Sequence, residues 1–251
     1  MSGHSKWSSI KHKKGAADAK RGKLFSKLAR AIIVAAREGG PDPANNLALQ
    51  NAIEKARSYS MPKDNIERAV ARGSGAGTDS EAFEQVVYEG YGPNGVAIIV
   101  EALTDNRNRT ASDIRHVFTK NEGNLGTTGA VGWLFERRGI IIVDADRADE
   151  DSVMLAAAEG GADDVAQDGS SFQVTTSPEA LSSVREALEQ AGIGIESAET
   201  TMAPKTTVEL GEEAAARKTL RLIDALEELD DVNEVYANFD IPESLLEAVA
   251  S

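Results

Sequence analysis

The chain opens Met-Ser-Gly-His-Ser-Lys-Trp-Ser-Ser-Ile-Lys-His-Lys-Lys, which sets Lys6, Lys11, Lys13 and Lys14 beside His4, His12 and Trp7. Phosphates need cations and unpaired bases need flat faces to stack on, so this mixture suits nucleic-acid binding. A solvated basic tail is the plainer alternative. The positive charge continues at helical spacing through Lys20, Lys23, Lys27 and Arg30, and Arg21, Lys63 and Arg68 extend the same candidate surface. Catalysis finds little support. The chain has no Cys, and its 3 His stand at positions 4, 12 and 116, never at a metal-ligand spacing such as HExxH. Neither a Gly-x-Ser-x-Gly elbow nor a P-loop occurs, and no Asp/Glu spacing singles out an acid–base pair. The expectation is a binding protein, not an enzyme, without metal or cofactor.

A second basic patch is possible at Thr104-Asp105-Asn106-Arg107-Asn108-Arg109-Thr110. A helix beginning here with Arg107 and Arg109 nearby makes an anion site, and His116 and Lys120 fall on the Arg109 face to extend it. The alternative is a polar turn whose Asn and Thr residues cap the helix. Both remain open from the sequence.

These residues need elements to hold them. Residues 20–37 form an amphipathic pattern, with Phe25, Leu28, Ala31, Ile32, Ala35 and Ala36 on one side and the Lys/Arg stripe opposite, in solvent. Gly39-Gly40 ends that helix. Asp42-Pro43 reads as cap and first residue of a second, which runs to about Tyr59 on Leu49, Ile53 and Ala56. Pro62 opens a third, with Gly73 as its left-handed stop, and Gly73 to Thr78 reads as a linker. The basic amphipathic helix could also lie on an anionic membrane, but two further helices are available to cover its Ala-rich face.

Beyond the linker the pattern is α/β. Strands are expected at 86–89 and 96–103, a helix at 110–121, a glycine-rich loop at 123–129 and a strand at 131–135. Residues 139–202 follow the order βαββαβ of a ferredoxin-like unit, with Ile141, Leu155, Phe172, Val174 and Leu188 as core. A strand, a long helix and a strand then close the chain, too few for a domain alone. The fold class is therefore α+β: an N-terminal three-helix domain followed by two α/β sandwich (ferredoxin-like) domains, one inserted in the other. The boundaries are 1–78 for the basic helical domain, 79–138 plus 204–251 for the discontinuous domain, and 139–203 for the insertion.

Charge is segregated. Residues 1–80 hold 15 Lys and Arg against 7 Asp and Glu, whereas the rest carries a net −22, and the chain as a whole −14. That reads as a basic domain in front of an acidic body, which would turn the N-terminal side toward any polyanion. The acidic residues at 224–234 read as a solvated helix face. No apolar run approaches the roughly 20 residues of a membrane span. The basic, Ser-containing N-terminus could be a transit peptide, but the amphipathic pattern runs on without a cleavage-like site. The expected location is cytoplasmic.

Several longer motifs resemble the YebC/PmpR family. They are Gly3-His4-Ser5-Lys6-Trp7, Ile10-Lys11-His12-Lys13, Asp18-Ala19-Lys20-Arg21-Gly22-Lys23, Met61-Pro62-Lys63-Asp64-Asn65-Ile66-Glu67-Arg68-Ala69, Tyr88-Glu89-Gly90-Tyr91-Gly92-Pro93, the stretch 103–110, and Asn238-Phe239-Asp240-Ile241-Pro242. The resemblance covers essentially the whole chain. It implies a cytoplasmic protein of one helical and two α/β domains that acts in gene expression. The family carries two descriptions: a DNA-binding transcriptional regulator, and a ribosomal translation factor related to a mitochondrial translational activator. Lysine meets phosphate as a point charge and lacks the bidentate reach of Arg to guanine, so the Lys-dominated stripe favours RNA-binding at the ribosome. The alternative is a regulator of transcription acting at promoters. The expected partners are nucleic acid, either DNA or ribosomal RNA, and the ribosome; no membrane or small-molecule substrate is expected, and the chain is expected to be a monomer.

Overall fold

The computed structural model describes residues 18–75, 83–242 and 245. Among the described residues three helices come first: α1 (Asp18–Gly39), α2 (Leu47–Ser58) and α3 (Lys63–Gly73). Leu28, Ile32 and Ala36 of α1 bury against Leu49, Ile53 and Ala56 of α2 and Ile66 and Ala69 of α3. The second helix does not start at Asp42-Pro43. Asp42 instead binds the Ala44 N–H and the Asn45 amide in a turn, and buried Asn46 caps α2 through the Leu49 N–H at 3.0 Å.

Gly73 is not the left-handed stop either; that conformation falls to Gly75, at φ +90°. Gly73 stays helical because α3 crosses α1 there at backbone distance. A Cβ on Gly73 would stand 2.5 Å from the Ile33 carbonyl oxygen and 2.7 Å from the Ala36 Cβ.

The next elements are β1 (Glu84–Tyr91), β2 (Ala97–Thr104), α4 (Arg107–Lys120) and β3 (Asn124–Leu125). A tight 3₁₀ turn, Pro93–Gly95, joins the first two strands. The strand expected at 131–135 is absent: Gly132–Leu134 is a 3₁₀ turn, and β4 (Phe135–Asp144) starts after it. The turn is fixed by buried Glu89, whose carboxylate accepts the N–H groups of Gly129, Val131 and Gly132 at 2.8, 2.7 and 2.6 Å. Burial opposes ionisation of Glu89, but these three bonds outweigh it and hold the carboxyl below its ordinary range.

The chain continues through α5 (Glu150–Gly160), β5 (Asp164–Asp168), β6 (Ser171–Thr176), α6 (Leu181–Gln190) and β7 (Ile195–Pro204). After these come β8 (Val208–Glu209), α7 (Glu213–Glu227), β9 (Val232–Ala237) and β10 (Phe239–Asp240). One sheet has the order β3-β1-β2-β9, so the strand after α7 returns to the edge of β2. A second four-stranded sheet has the order β5-β6-β4-β7 with antiparallel neighbours, the arrangement of a ferredoxin-like unit, and β8 and β10 form a small parallel pair. The fold is α+β, helices first and mainly antiparallel sheets after.

Helices α4 and α7 cover one face of the first sheet, burying Ile98, Val100, Ile114, Phe118, Ile223 and Val235. Ile141, Phe172, Val174 and Leu188 lie in the core of the second sheet. Leu155 does not; it is 65% exposed. The buried stripe of α5 is Val153, Ala156 and Ala157, small enough for Gly160 to pass beside the Val184 backbone, and Leu155 falls off that stripe.

Replacing Gly73 by Ala forces that Cβ into the α1 backbone. The full-length G73A variant should lose about 1–3 kcal/mol in urea unfolding, the usual cost of overpacking; a wild-type midpoint would contradict the close helix crossing.

Candidate nucleic-acid interface

Helix α1 is buried on two sides. Val34, outside the apolar stripe Leu28–Ile32–Ala36, is also buried and faces Ala102 and Leu103 of β2 across a gap of 150 Å³. A helix seated this way cannot keep the whole of its charged stripe in solvent, although Lys23 stays 57% exposed. Lys23, Lys27 and Arg30 turn instead to the segment where α7 ends and β9 begins.

A helix leaves its last carbonyls unpaired and negative. Lys27 Nζ donates to the Glu227 carbonyl of α7, and Lys23 Nζ to that of Glu228 at 3.3 Å. Lys23 also pairs with the Asp230 carboxylate at 3.0 Å. Arg30 Nη1 lies 3.2 Å from the Leu103 carbonyl, 2.9 Å from that of Asp230 and 3.3 Å from Asp231 Oδ1, with its guanidinium 4.7 Å from the Phe83 ring centroid. The expected solvated faces, basic on α1 and acidic at 224–234, are largely each other's partners.

Asp231 joins this contact to α4. Its Oδ2 accepts from Arg109 Nη2 at 2.7 Å and from the Thr110 hydroxyl at 2.7 Å, and the Thr104 hydroxyl lies 2.8 Å from that of Thr110. Arg109 also bonds Asp105 at 2.7 Å. Asn106 caps α4 by accepting the Arg109 N–H at 3.1 Å, so the polar turn that begins α4 is a cap. Burial pushes the Asp231 carboxyl up, but the bonds from Arg109 and Thr110 and the charges of Arg109 and Arg30 prevail and hold it below the ordinary range. The two candidate basic patches thus meet. Lys23, Arg30 and Arg109 line one cleft of 510 Å³, together with Thr110, Asp113 and Asp231.

The other candidates are more dispersed. Arg21 is exposed beside the Phe25 ring, Lys63 is exposed and pairs loosely with Glu67 at 3.5 Å, and Arg68 is exposed on α3. Arg107, His116 and Lys120 are exposed on α4. Lys20 belongs to α1 by its backbone. His4, Lys6, Trp7, Lys11, His12, Lys13 and Lys14 lie outside the described residues. The glycine loop 123–129 and Arg107 and Arg109 lie at opposite ends of α4, about 20 Å apart at 1.5 Å per residue, and make no common pocket. Among the described residues, no group of three or more His, Cys, Asp or Glu is placed to hold a metal ion. No helix of the described residues is long and apolar enough to cross a membrane.

Sequence reasoning passed over Asp231, Thr104 and Thr110 as members of one cluster. Asp231 lies 121 residues from Thr110 and 201 from Arg30, so no local spacing could link them. It also passed over Lys55, which pairs with Glu234 of β9, and Glu54, which meets Arg185 of α6 at 3.5 Å.

Residues 5–76 match the family model described as the TACO1/YebC protein N-terminal domain, and residues 83–239 match that of the TACO1/YebC second and third domain. This chain belongs to the YebC family. It is 59% identical over its full length to a probable transcriptional regulatory protein of Rubrobacter xylanophilus, with 100% of both chains covered. A protein of the same description from Persephonella marina is 53% identical, again with 100% of both covered. The crystal structure of a conserved hypothetical protein from Aquifex aeolicus superimposes with a TM-score of 0.77 at 52% identity, covering 90% of this chain and 93% of that one. Membership in the YebC family agrees with the resemblance carried by the motifs.

Lys27 tests how the YebC-family junction is balanced. Burial pushes its ammonium down from 10.5 to about 8, against the pull of Glu227, Asp230 and Glu234. Between those two values the unfolded chain binds more protons than the folded one, so stability should rise with pH across that window. Lys27→Met should abolish the rise and, at pH 7, stabilise by on the order of 2 kcal/mol, the burial cost less the lost hydrogen bond. Urea titrations at pH 7 and pH 10 check both; a strong loss of stability at pH 7 would show the ammonium to be a net stabiliser.

Proposed function

We propose that this YebC-family protein is a nucleic-acid-binding regulator of gene expression whose main target is structured ribosomal RNA, with a role in translation. The function is binding, without a reaction. The observation that carries this reading is the scatter of exposed cations over separate elements. Arg21 and Lys23 stand at one end of α1, Lys63, Arg68 and Arg72 on α3, and Arg107, His116 and Lys120 on α4. Such a surface contacts phosphates at many angles, as the irregular shape of folded RNA demands.

Duplex DNA read by sequence asks for something else: one helix free to enter the major groove with Arg, Asn or Gln aimed at base edges. The middle of α1 is committed on both flanks, to α2 and α3 on one and to the α/β body on the other, and the exposed positions of α3 mix Lys63, Arg68 and Arg72 with Asp64 and Glu67. The promoter reading keeps one specific support, the description of the relatives as probable transcriptional regulatory proteins. Sequence-dependent DNA shape would then have to supply the specificity.

Two measurements separate the readings. The full chain should sediment with ribosomes through a sucrose cushion and should prefer a candidate promoter over random duplex by less than about tenfold at fixed salt. Promoter preference above about a thousandfold, the range of specific regulators, with no ribosome association, would overturn the translation reading.

A further inference from the structure

We propose that Arg30, Arg109, Thr110 and Thr104 form a phosphate-binding site for RNA, filled in this conformation by the carboxylate of the chain's own Asp231. The inference rests on the RNA reading above and adds the site and its control.

The donor set is built for a tetrahedral or planar oxyanion. Two guanidiniums from different elements converge on one carboxylate, Arg109 at 2.7 Å and Arg30 at 3.3 Å, and the Thr110 hydroxyl completes the grip at 2.7 Å. Arginine is the side chain best suited to phosphate because its planar fork offers paired, charge-assisted hydrogen bonds. The site is open. Arg109 is 47% exposed, and with Arg30 and Asp231 it lines the 510 Å³ cleft, at which Lys23 stands 57% exposed. A phosphodiester entering that cleft meets Lys23 and Arg109 before it meets Asp231.

The occupant can leave without unfolding the chain. The Asp231 backbone is held independently, because its carbonyl accepts the Leu103 N–H at 2.8 Å. Rotation of its side chain withdraws the carboxylate from Arg30, Arg109, Thr110 and Thr104, while Arg30 stays on the Leu103 and Asp230 carbonyls, Arg109 stays on Asp105, and the junction of β2 and β9 stays paired. Until then, Asp230 and Asp231 repel an incoming phosphate and neutralise the cations it needs. Weak or isolated phosphates therefore do not displace the carboxylate, whereas a folded RNA that contacts Arg21, Lys63 and α4 at once does. The acidic turn acts as an internal competitor that raises the threshold for binding.

The test uses the full chain and a defined RNA hairpin, with a random DNA duplex of equal charge as a second probe. Asp230→Asn/Asp231→Asn should bind the hairpin about tenfold more tightly than the unaltered chain, with a log K against log salt slope steeper by about 1 to 2. Adding Arg109→Met to that variant should remove most of the gain. Equal affinity and slope for the altered and unaltered chains, with the unaltered chain binding RNA, would overturn this inference and leave the RNA reading intact. Failure of both chains to bind RNA would overturn both. An equal gain on the duplex would show a general anion patch and overturn the assignment to RNA. If the double variant loses its circular dichroism signal, Arg109→Met alone decides: a severalfold loss of hairpin affinity supports the site, and no change overturns it.

Discussion

One half-buried carboxylate sets the geometry of this molecule. Asp231 stands where α7 gives way to β9 and receives Arg30 from α1, Arg109 and Thr110 from α4, and lies 3.4 Å from the Thr104 hydroxyl of β2. Three stretches far apart in sequence, around residues 30, 104–110 and 231, thus share one charge. A carboxylate taken from water needs its partners, and removing one leaves the rest uncompensated, so the arrangement demands all of them at once. It orients more than it stabilises. Lys27, pressed into the same junction, carries the cost openly, since burial pulls its ammonium down to about 8.

The separation of charge along the chain takes its meaning from this junction. A basic N-terminal part and a body of net −22 look like an arm turned toward a polyanion and a body turned away from it. In the folded protein the nearest polyanion to α1 is the body itself. The carbonyls that end α7 and the carboxylates of Asp230 and Asp231 take up Lys23, Lys27 and Arg30. Lys55–Glu234 and Arg185–Glu54 tie α2 to the first sheet and to the ferredoxin-like unit in the same way. A nucleic acid meets what remains: the exposed cations of α1, α3 and α4, and a cleft in which charges of both signs are already balanced.

Much of this fold is legible in local pattern. The stripe Leu49–Ile53–Ala56 marks the buried face of α2, and the order βαββαβ marks the ferredoxin-like sheet. The failures have a common cause. Periodicity finds one apolar face per helix, but α1 packs on two, so Val34 was invisible and Lys27 and Arg30 were placed in water. Gly73 looked like a stop because a glycine near a helix end usually is one; here the neighbouring helix requires the missing Cβ. The 131–135 segment has the short apolar run of a strand, yet Glu89, some forty residues earlier, draws it into a turn. Basic residues were legible as a class. Which of them are spent inside the molecule depends on partners 200 residues away.

The central claim, that the α1 stripe is held by the acidic turn, is tested most directly by a double-mutant cycle on full-chain stability. The four proteins are the unaltered chain, Arg30→Met, Asp231→Asn and the pair together, unfolded in urea at pH 7 and low salt. Residues in one ion-pair network couple by roughly 0.5–3 kcal/mol, and the side chains of Arg30 and Asp231 are only 21% and 13% exposed. The account predicts a favourable coupling of about 1–2 kcal/mol. Additivity within about 0.3 kcal/mol would mean that the two side chains do not interact in solution, and that the basic stripe of α1 faces water after all.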